Sequence, residues 1–172
     1  MKTCKICLNQ FEPSKPLQVT CSYSCALDYA RGKMAKKVKA ENKVKKERMK
    51  TKSQHLKELQ TIFNKFIRTR DAGLPCVSCG CRVNGNGHAS HFMSVGSHPA
   101  LRFNEFNCSL SCTQCNLHLH GNLVEYSLRL PDRIGQDNYD KLIASRGDRL
   151  QLSIPEIEEL KLNYRNKIKE LL

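Results

Sequence analysis

Long apolar runs are missing from this 172-residue chain, and acidic residues are scarce. No stretch approaches the roughly 18 apolar residues that span a bilayer, so a membrane-crossing helix is not expected. The opening Met1-Lys2-Thr3-Cys4 leads into polar sequence rather than the apolar core of an export signal. That reading predicts a cytoplasmic chain, in a reducing compartment where thiols stay free or bind metal. Only 16 acidic residues stand against 29 basic ones, a formal charge of +13. Such an excess implies a polyanionic partner, either nucleic acid or an anionic membrane surface. With no membrane segment to read, nucleic acid is the better-supported partner.

The ten cysteines are arranged in pairs. Cys4-x2-Cys7 precedes Cys21-x3-Cys25, and Cys76-x2-Cys79 precedes Cys112-x2-Cys115. Two intervening residues let both sulfurs converge on one tetrahedral ion about 2.3 Å away, and two such pairs complete a site. The spacing therefore predicts two structural Zn2+ sites. Cys81 and Cys108 remain; each could substitute as a ligand, and the reading preferred is that they are buried spare thiols.

The first 30 residues read as a zinc knuckle, with Gln10-Phe11-Glu12 as a short strand and Ser22 to Cys25 opening a helix. So short a segment depends on metal for its stability. Residues 31–57 lack proline, lack glycine after position 32, and lack an apolar stripe. They carry twelve basic residues against Glu41 and Glu47, a net +10. Two acids cannot neutralise twelve bases by pairing along a helix. The segment reads as an exposed basic helix that contacts phosphates, a solvated linker being the alternative, with Lys36, Lys37, Lys43, Lys45, Lys46 and Arg48 as DNA-binding candidates. Leu56, Leu59, Ile62, Phe63, Phe66 and Ile67 then form one face of an amphipathic helix ending before Gly73. His55, alone at its start, reads as a surface residue. Gln136 to Ser145 suits a short helix. Ser153 and Glu156 form a capping box for a last helix with Ile157, Leu160, Tyr164, Ile168 and Leu171 as its stripe. The domain reading is 1–30 zinc knuckle, 31–57 basic helix or linker, 58–130 zinc-containing core and 131–172 helical scaffold. A homodimer through the last helices is left open.

A Cys4 zinc has no open coordination position and cannot itself be hydrolytic. The second tetrad would, however, draw His88 and His91 toward Asn107, Asn116, His118, His120 and Asn122. Phosphodiester hydrolysis needs a base to activate water, a cation at the phosphate and a group that orients the base. Imidazole, with its ordinary pKa near 6.5, suits the first task, and an amide such as Asn107 the last. His98, within Gly96-Ser97-His98-Pro99, reads as a loop residue.

The order Cys76-x2-Cys79, His91, Asn107, Cys112-x2-Cys115-Asn116 resembles the HNH nuclease pattern. More narrowly, Leu101-Arg102-Phe103-Asn104-Glu105, Cys115-Asn116 with His118, Gly121-Asn122-Leu123-Val124 with Tyr126, and Arg133-Ile134-Gly135-Gln136 resemble the phage NinG/Rap recombination proteins. The likeness covers nearly the whole chain. It implies an α+β fold: a small zinc-stabilised ββα core of the HNH, or His-Me finger, type, with flanking helices, the N-terminal knuckle and the long basic helix. It also implies a structure-specific endonuclease that cuts Holliday junctions and D-loops inside the bacterial host. His91 maps onto the general base and Asn107 onto the middle asparagine. His88, Asn116, His118 and His120 are the candidate ligands for a catalytic Mg2+ or Mn2+, and Arg102 joins the DNA contacts. His88 stands where the family often has an acid, and Ser90 where glycine is usual; a neutral ligand holds Mg2+ less well than a carboxylate. A non-catalytic DNA-binding recombination accessory protein, or a nuclease of the same fold with another substrate, are the competing readings.

Overall fold

The computed structural model describes residues 1–85, 87–147 and 149–172, with every side chain among them except that of Arg48. The chain divides into two compact units, residues 1–50 and 51–172, and mixes helices with two two-stranded sheets. No helix among the described residues is long and apolar enough to cross a membrane.

In the first unit, β1 (Lys2–Thr3) pairs antiparallel with β2 (Gln10–Phe11), Lys2 opposite Phe11. Helix α1 (Tyr23–Arg48) starts at the Ser22 cap, whose hydroxyl accepts from the Cys25 N–H at 3.2 Å. Among the described residues, this unit buries only Cys4, Thr20 and Cys25. It has no apolar core, so its interior is the cysteine cluster itself.

The basic segment read as one stretch over 31–57 is divided between two helices. Helix α1 ends at Arg48, and α2 (Lys52–Arg70) begins behind Thr51. The Thr51 hydroxyl accepts from the Gln54 N–H while the Gln54 side chain accepts from the Thr51 N–H, a capping box that starts a new helix. The divisions read after residues 30, 57 and 130 accordingly fall inside α1, α2 and α3.

The second unit is built on α2 and α5 (Ile154–Glu170). Leu59, Phe63, Phe66 and Ile67 pack against Ile157, Tyr164 and Ile168, with the Phe63 and Tyr164 rings edge to face at 5.1 Å. Leu171, placed on the buried stripe by periodicity, is 49 % exposed because the helix has ended beside it. The antiparallel pair β3 (His88–His91) and β4 (Cys108–Ser111) joins this core through Ala89 and Cys108. A smaller core gathers Val77, Leu101 and residues of α3 (Leu123–Ile134) and α4 (Gln136–Ala144). Pro131 lies in the last turn of α3, and Gly135, at φ +84°, ends that helix.

His55 is not a surface residue. It is buried, and its Nδ1 lies 2.6 Å from Glu158. Lys161, 1 % exposed, reaches Glu58 at 2.7 Å and Glu158 at 2.6 Å. Removing the cation from such a group leaves carboxylates uncompensated, which typically costs 3–5 kcal/mol when the pair is buried. Since both glutamates keep solvent access, Lys161→Ala is expected to lower stability by about 3 kcal/mol and Lys161→Met by less, measured by denaturant midpoints. The hydrogen bond from Lys161 holds the Glu158 carboxyl below the usual carboxylate range. Its contribution is therefore present above the unfolded-state pKa and lost as pH falls through the folded one.

Candidate functional site

Both cysteine tetrads are assembled. In Cys4, Cys7, Cys21, Cys25 and again in Cys76, Cys79, Cys112, Cys115, all four sulfurs lie within 4.8 Å of one another. A tetrahedral ion with 2.3 Å bonds needs sulfurs about 3.8 Å apart. The pairs Cys21–Cys25 and Cys79–Cys112 lie at 3.8 Å, and Cys7–Cys21 at 3.4 Å. Zinc fits both sets. Backbone N–H groups already point at the sulfurs, Cys21 N–H to Cys4 at 3.4 Å and Cys115 N–H to Cys112 at 3.4 Å, and the Asn122 amide donates to Cys115 at 3.6 Å. Burial alone would raise the Cys4 and Cys76 thiols, but hydrogen-bond donors outweigh it and bring each down to about 6. These are the backbone N–H groups of Cys7, Ile6 and Cys21 at Cys4, and those of Cys79, Cys112 and Ser78 with the Ser111 hydroxyl at Cys76. One sulfur of each tetrad thus favours the thiolate that a cation requires.

Cys81 departs from its reading as a buried spare thiol. It is exposed, with its sulfur 3.1 Å from that of Cys79. Gly80, at φ +71°, turns the chain so that residue 81 returns beside residue 79, and the Cys81 carbonyl accepts from the Cys76 N–H. Cys108 is buried as expected, opposite His91 on the neighbouring strand.

His91 closes β3 with its ring stacked on Phe63, centroids 6.1 Å apart. Its Nε2 lies 2.9 Å from the Arg102 carbonyl, which can only accept, so Nε2 carries the proton and Nδ1 the lone pair. Nδ1 faces the Cys108 sulfur at 3.9 Å. Burial lowers the His91 pKa, the Arg102 carbonyl opposing it, so the ring is neutral at pH 7.

Asn107 does not touch this ring. Its buried amide accepts from the Met93 N–H at 2.8 Å and donates to the carbonyls of Met93 at 3.0 Å and Leu101 at 3.1 Å. It therefore clamps the loop between β3 and β4, and that loop presents the Arg102 carbonyl to His91. Orientation of the histidine passes through the backbone, not through the amide directly. Arg102 itself donates from Nε to Gln60 at 2.8 Å and lies over Phe103, so its guanidinium is partly engaged within the fold.

The proposed metal ligands are not gathered around His91. Side chains alternate along a strand, so His88 and His91, three apart, point to opposite faces of the sheet. His88 Nε2 instead meets the Thr113 hydroxyl at 3.3 Å. Asn116 sits half-buried in the π-type turn Gln114–His118, while His118 and His120 are exposed. Among the described residues, none of the groups of three or more His, Cys, Asp or Glu that converge within 4.8 Å includes His88, His91, His118 or His120. His120, Gly121 and Asn122 all have positive φ, a left-handed stretch leading into α3. His98 is the loop residue it was read to be, accepted by the Arg146 carbonyl at 2.8 Å. On α1, Lys36, Lys37, Lys43, Lys45 and Lys46 are exposed, and only Lys37 pairs, with Glu41 at 4.0 Å, among the described residues. Arg48 lies outside the described side chains.

The sequence model of the family described as the bacteriophage lambda NinG protein matches residues 1–172. The chain belongs to the NinG family. It is 35 % identical over 183 residues to protein ninG of Escherichia phage lambda, covering 96 % of this chain and 89 % of that protein. It is 34 % identical over 188 residues to protein ninG of Escherichia phage 933W, covering 99 % and 93 %. It is 33 % identical over 183 residues to protein ninG of Salmonella phage P22, covering 96 % and 90 %. No solved structure matches the chain. NinG membership thus extends over both tetrads, the basic helix and the His91 strand together.

Proposed function

We propose that this NinG family member is a structure-specific DNA endonuclease, acting in the bacterial host cytoplasm on branched recombination intermediates such as Holliday junctions and D-loops. The observation that carries the reading is the state of His91. It stands at the end of a strand as a neutral imidazole, its Nε2–H fixed on a loop carbonyl, so that Nδ1, which faces the Cys108 sulfur, is the atom that can accept a proton. The order around it, a strand, a loop clamped by Asn107, a second strand and a helical turn begun by the second tetrad, supports the HNH-type ββα assignment. The lysines of α1 supply sequence-independent affinity for phosphates. Recognition by shape therefore suits the chain better than recognition by base sequence.

A bound Mg2+ or Mn2+ would neutralise charge on the scissile phosphate. His88, His118 and His120 do not fit as a ready-made cage with His91, since His88 occupies the opposite face of the strand. Mg2+ commonly takes only one or two protein ligands and completes its shell with phosphate and water. The same geometry favours a second reading, a zinc-containing DNA-binding accessory protein without catalysis, because Nδ1 of His91 faces the Cys108 thiol.

The two readings separate on a synthetic four-way junction and a matched linear duplex, with Mg2+, Mn2+ or EDTA. Wild type is expected to cut the junction in a metal-dependent way. His91→Ala and the bulkier His91→Gln are expected to lose cutting by about 10²–10⁴-fold with binding retained. Because burial lowers the His91 pKa, the acid limb of the rate profile should fall at a pH below the ordinary 6.5. Tight binding without cutting under any metal condition gives the accessory reading. Equal cutting of both DNAs removes the branch preference.

A further inference from the structure

The second unit carries a cleft of about 790 Å³ between the C-terminal half of α2 and the turn that leads into and out of the second tetrad. Lys65 and Arg68 border it from the helix, and Arg82 borders it from the loop after Gly80. No Asp or Glu side chain lines it, and none of the three cations has an ion-pair partner among the described residues. Lys65 and Arg68 stand three apart on α2 and so project from one face. Gly73 and Gly85 on the rim have no neighbouring atom within 4 Å of where a Cβ would stand, which leaves the edge bare to an approaching backbone.

Lys65 and Arg82, exposed, and Arg68, half-buried, border one concave surface lined by no acidic side chain, and such a local excess of one sign attracts a polyanion. The apolar floor, Leu74, Pro75 and Leu110 among it, keeps water from screening the charges fully. We infer that this cleft binds the phosphodiester backbone of a DNA arm, through Lys65, Arg68 and Arg82. The inference rests on the DNA-binding reading above and adds to it a contact surface in residues 51–172, separate from the lysines of α1 and from Arg102. Each unit then holds its own phosphate-binding surface. A branched substrate offers more than one duplex arm, so two surfaces joined by one chain raise the effective concentration of the second contact.

The test measures binding of the full-length zinc-loaded protein to a four-way junction in EDTA-free, Mg2+-free buffer, over a series of salt concentrations. Each phosphate neutralised on duplex DNA adds about 0.9 to the slope of log K against log salt. The variant Lys65→Gln with Arg68→Gln and Arg82→Gln is expected to lower that slope by about 2.7 while zinc content stays unchanged. A variant at Lys36, Lys43 and Lys46 serves as the comparison from the other unit. As a readout free of folding effects, Lys65 in the wild type should be protected from acetylation by junction DNA. An unaltered slope in the triple variant, or an equally acetylated Lys65 with and without DNA, overturns the cleft while leaving the DNA reading intact. Failure of the wild type to bind DNA at all overturns both.

Discussion

Replacing Cys4 and Cys25 together with serine is expected to unfold residues 1–30 and to lower bound zinc from two ions per chain to one. Among the described residues, those two and Thr20 are all that the first unit buries, so they include no apolar core to hold β1, β2 and the start of α1 together. Structural zinc in small modules contributes on the order of 10–16 kcal/mol of apparent folding free energy, more than such a unit has from any other source. The 26 residues of α1 should fray as well, since α1 has no buried stripe and isolated helices are marginal in water. Elemental analysis for zinc and amide hydrogen exchange check the outcome. Retention of two zinc ions, or of protected amides before residue 30, would sink it. The paired Cys76→Ser and Cys115→Ser change should remove the other ion and loosen the β3–β4 region, while α2 and α5 keep their own apolar contact.

Asn107→Ala is expected to have the largest effect of any single polar substitution in the second unit. The amide is fully buried and satisfies one N–H and two carbonyls. Truncation leaves three backbone groups without a partner, the buried Leu101 carbonyl and the part-buried N–H and carbonyl of Met93, and a buried group left so typically costs about 1–3 kcal/mol. A loss of about 3 kcal/mol or more follows, which for a unit of this size lowers the melting temperature by roughly 10 °C. Cutting should fall too, even at temperatures where the unit stays folded, because the loop that offers the Arg102 carbonyl to His91 is no longer clamped. Asn107→Asp should not rescue it, since a carboxylate cannot donate to the Met93 and Leu101 carbonyls. A denaturant midpoint within 1 kcal/mol of wild type would show that the clamp is not what orders the loop.

Several of these features were legible in the residue order because they depend on neighbours a few positions apart. Cysteine spacing determined both tetrads. The apolar stripe from Leu56 determined α2, and Ser153 with Glu156 determined the start of α5. Charge count determined that the basic stretch of α1 would be exposed, since its closely spaced lysines leave no apolar stripe to bury. Alternation along a strand also implies that His88 and His91, three apart, face opposite ways.

Other positions were decided only when distant segments met. His55 and Lys161 are buried because α2 and α5, some hundred residues apart, bring Glu158 and Glu58 to them. Both fall on the buried stripe of their helices, His55 four residues before Leu59 and Lys161 four after Ile157, but a polar side chain stays there only where partners from the other helix meet it. Cys81 is exposed beside Cys79 because a positive-φ glycine turns the knuckle there, and Cys108 meets His91 through strand register. Asn107 acts on a loop rather than on the histidine because that loop folds back over its amide. The cleft of Lys65, Arg68 and Arg82 likewise exists only where α2 passes the turn at the second tetrad. The sequence by itself determined the two cysteine tetrads, the amphipathic helices and the charge, because spacing, periodicity and composition are local or additive. The tertiary structure alone decided which polar side chains are buried, which nitrogen of His91 carries the proton and where cations converge, because each depends on contacts between residues far apart in the chain.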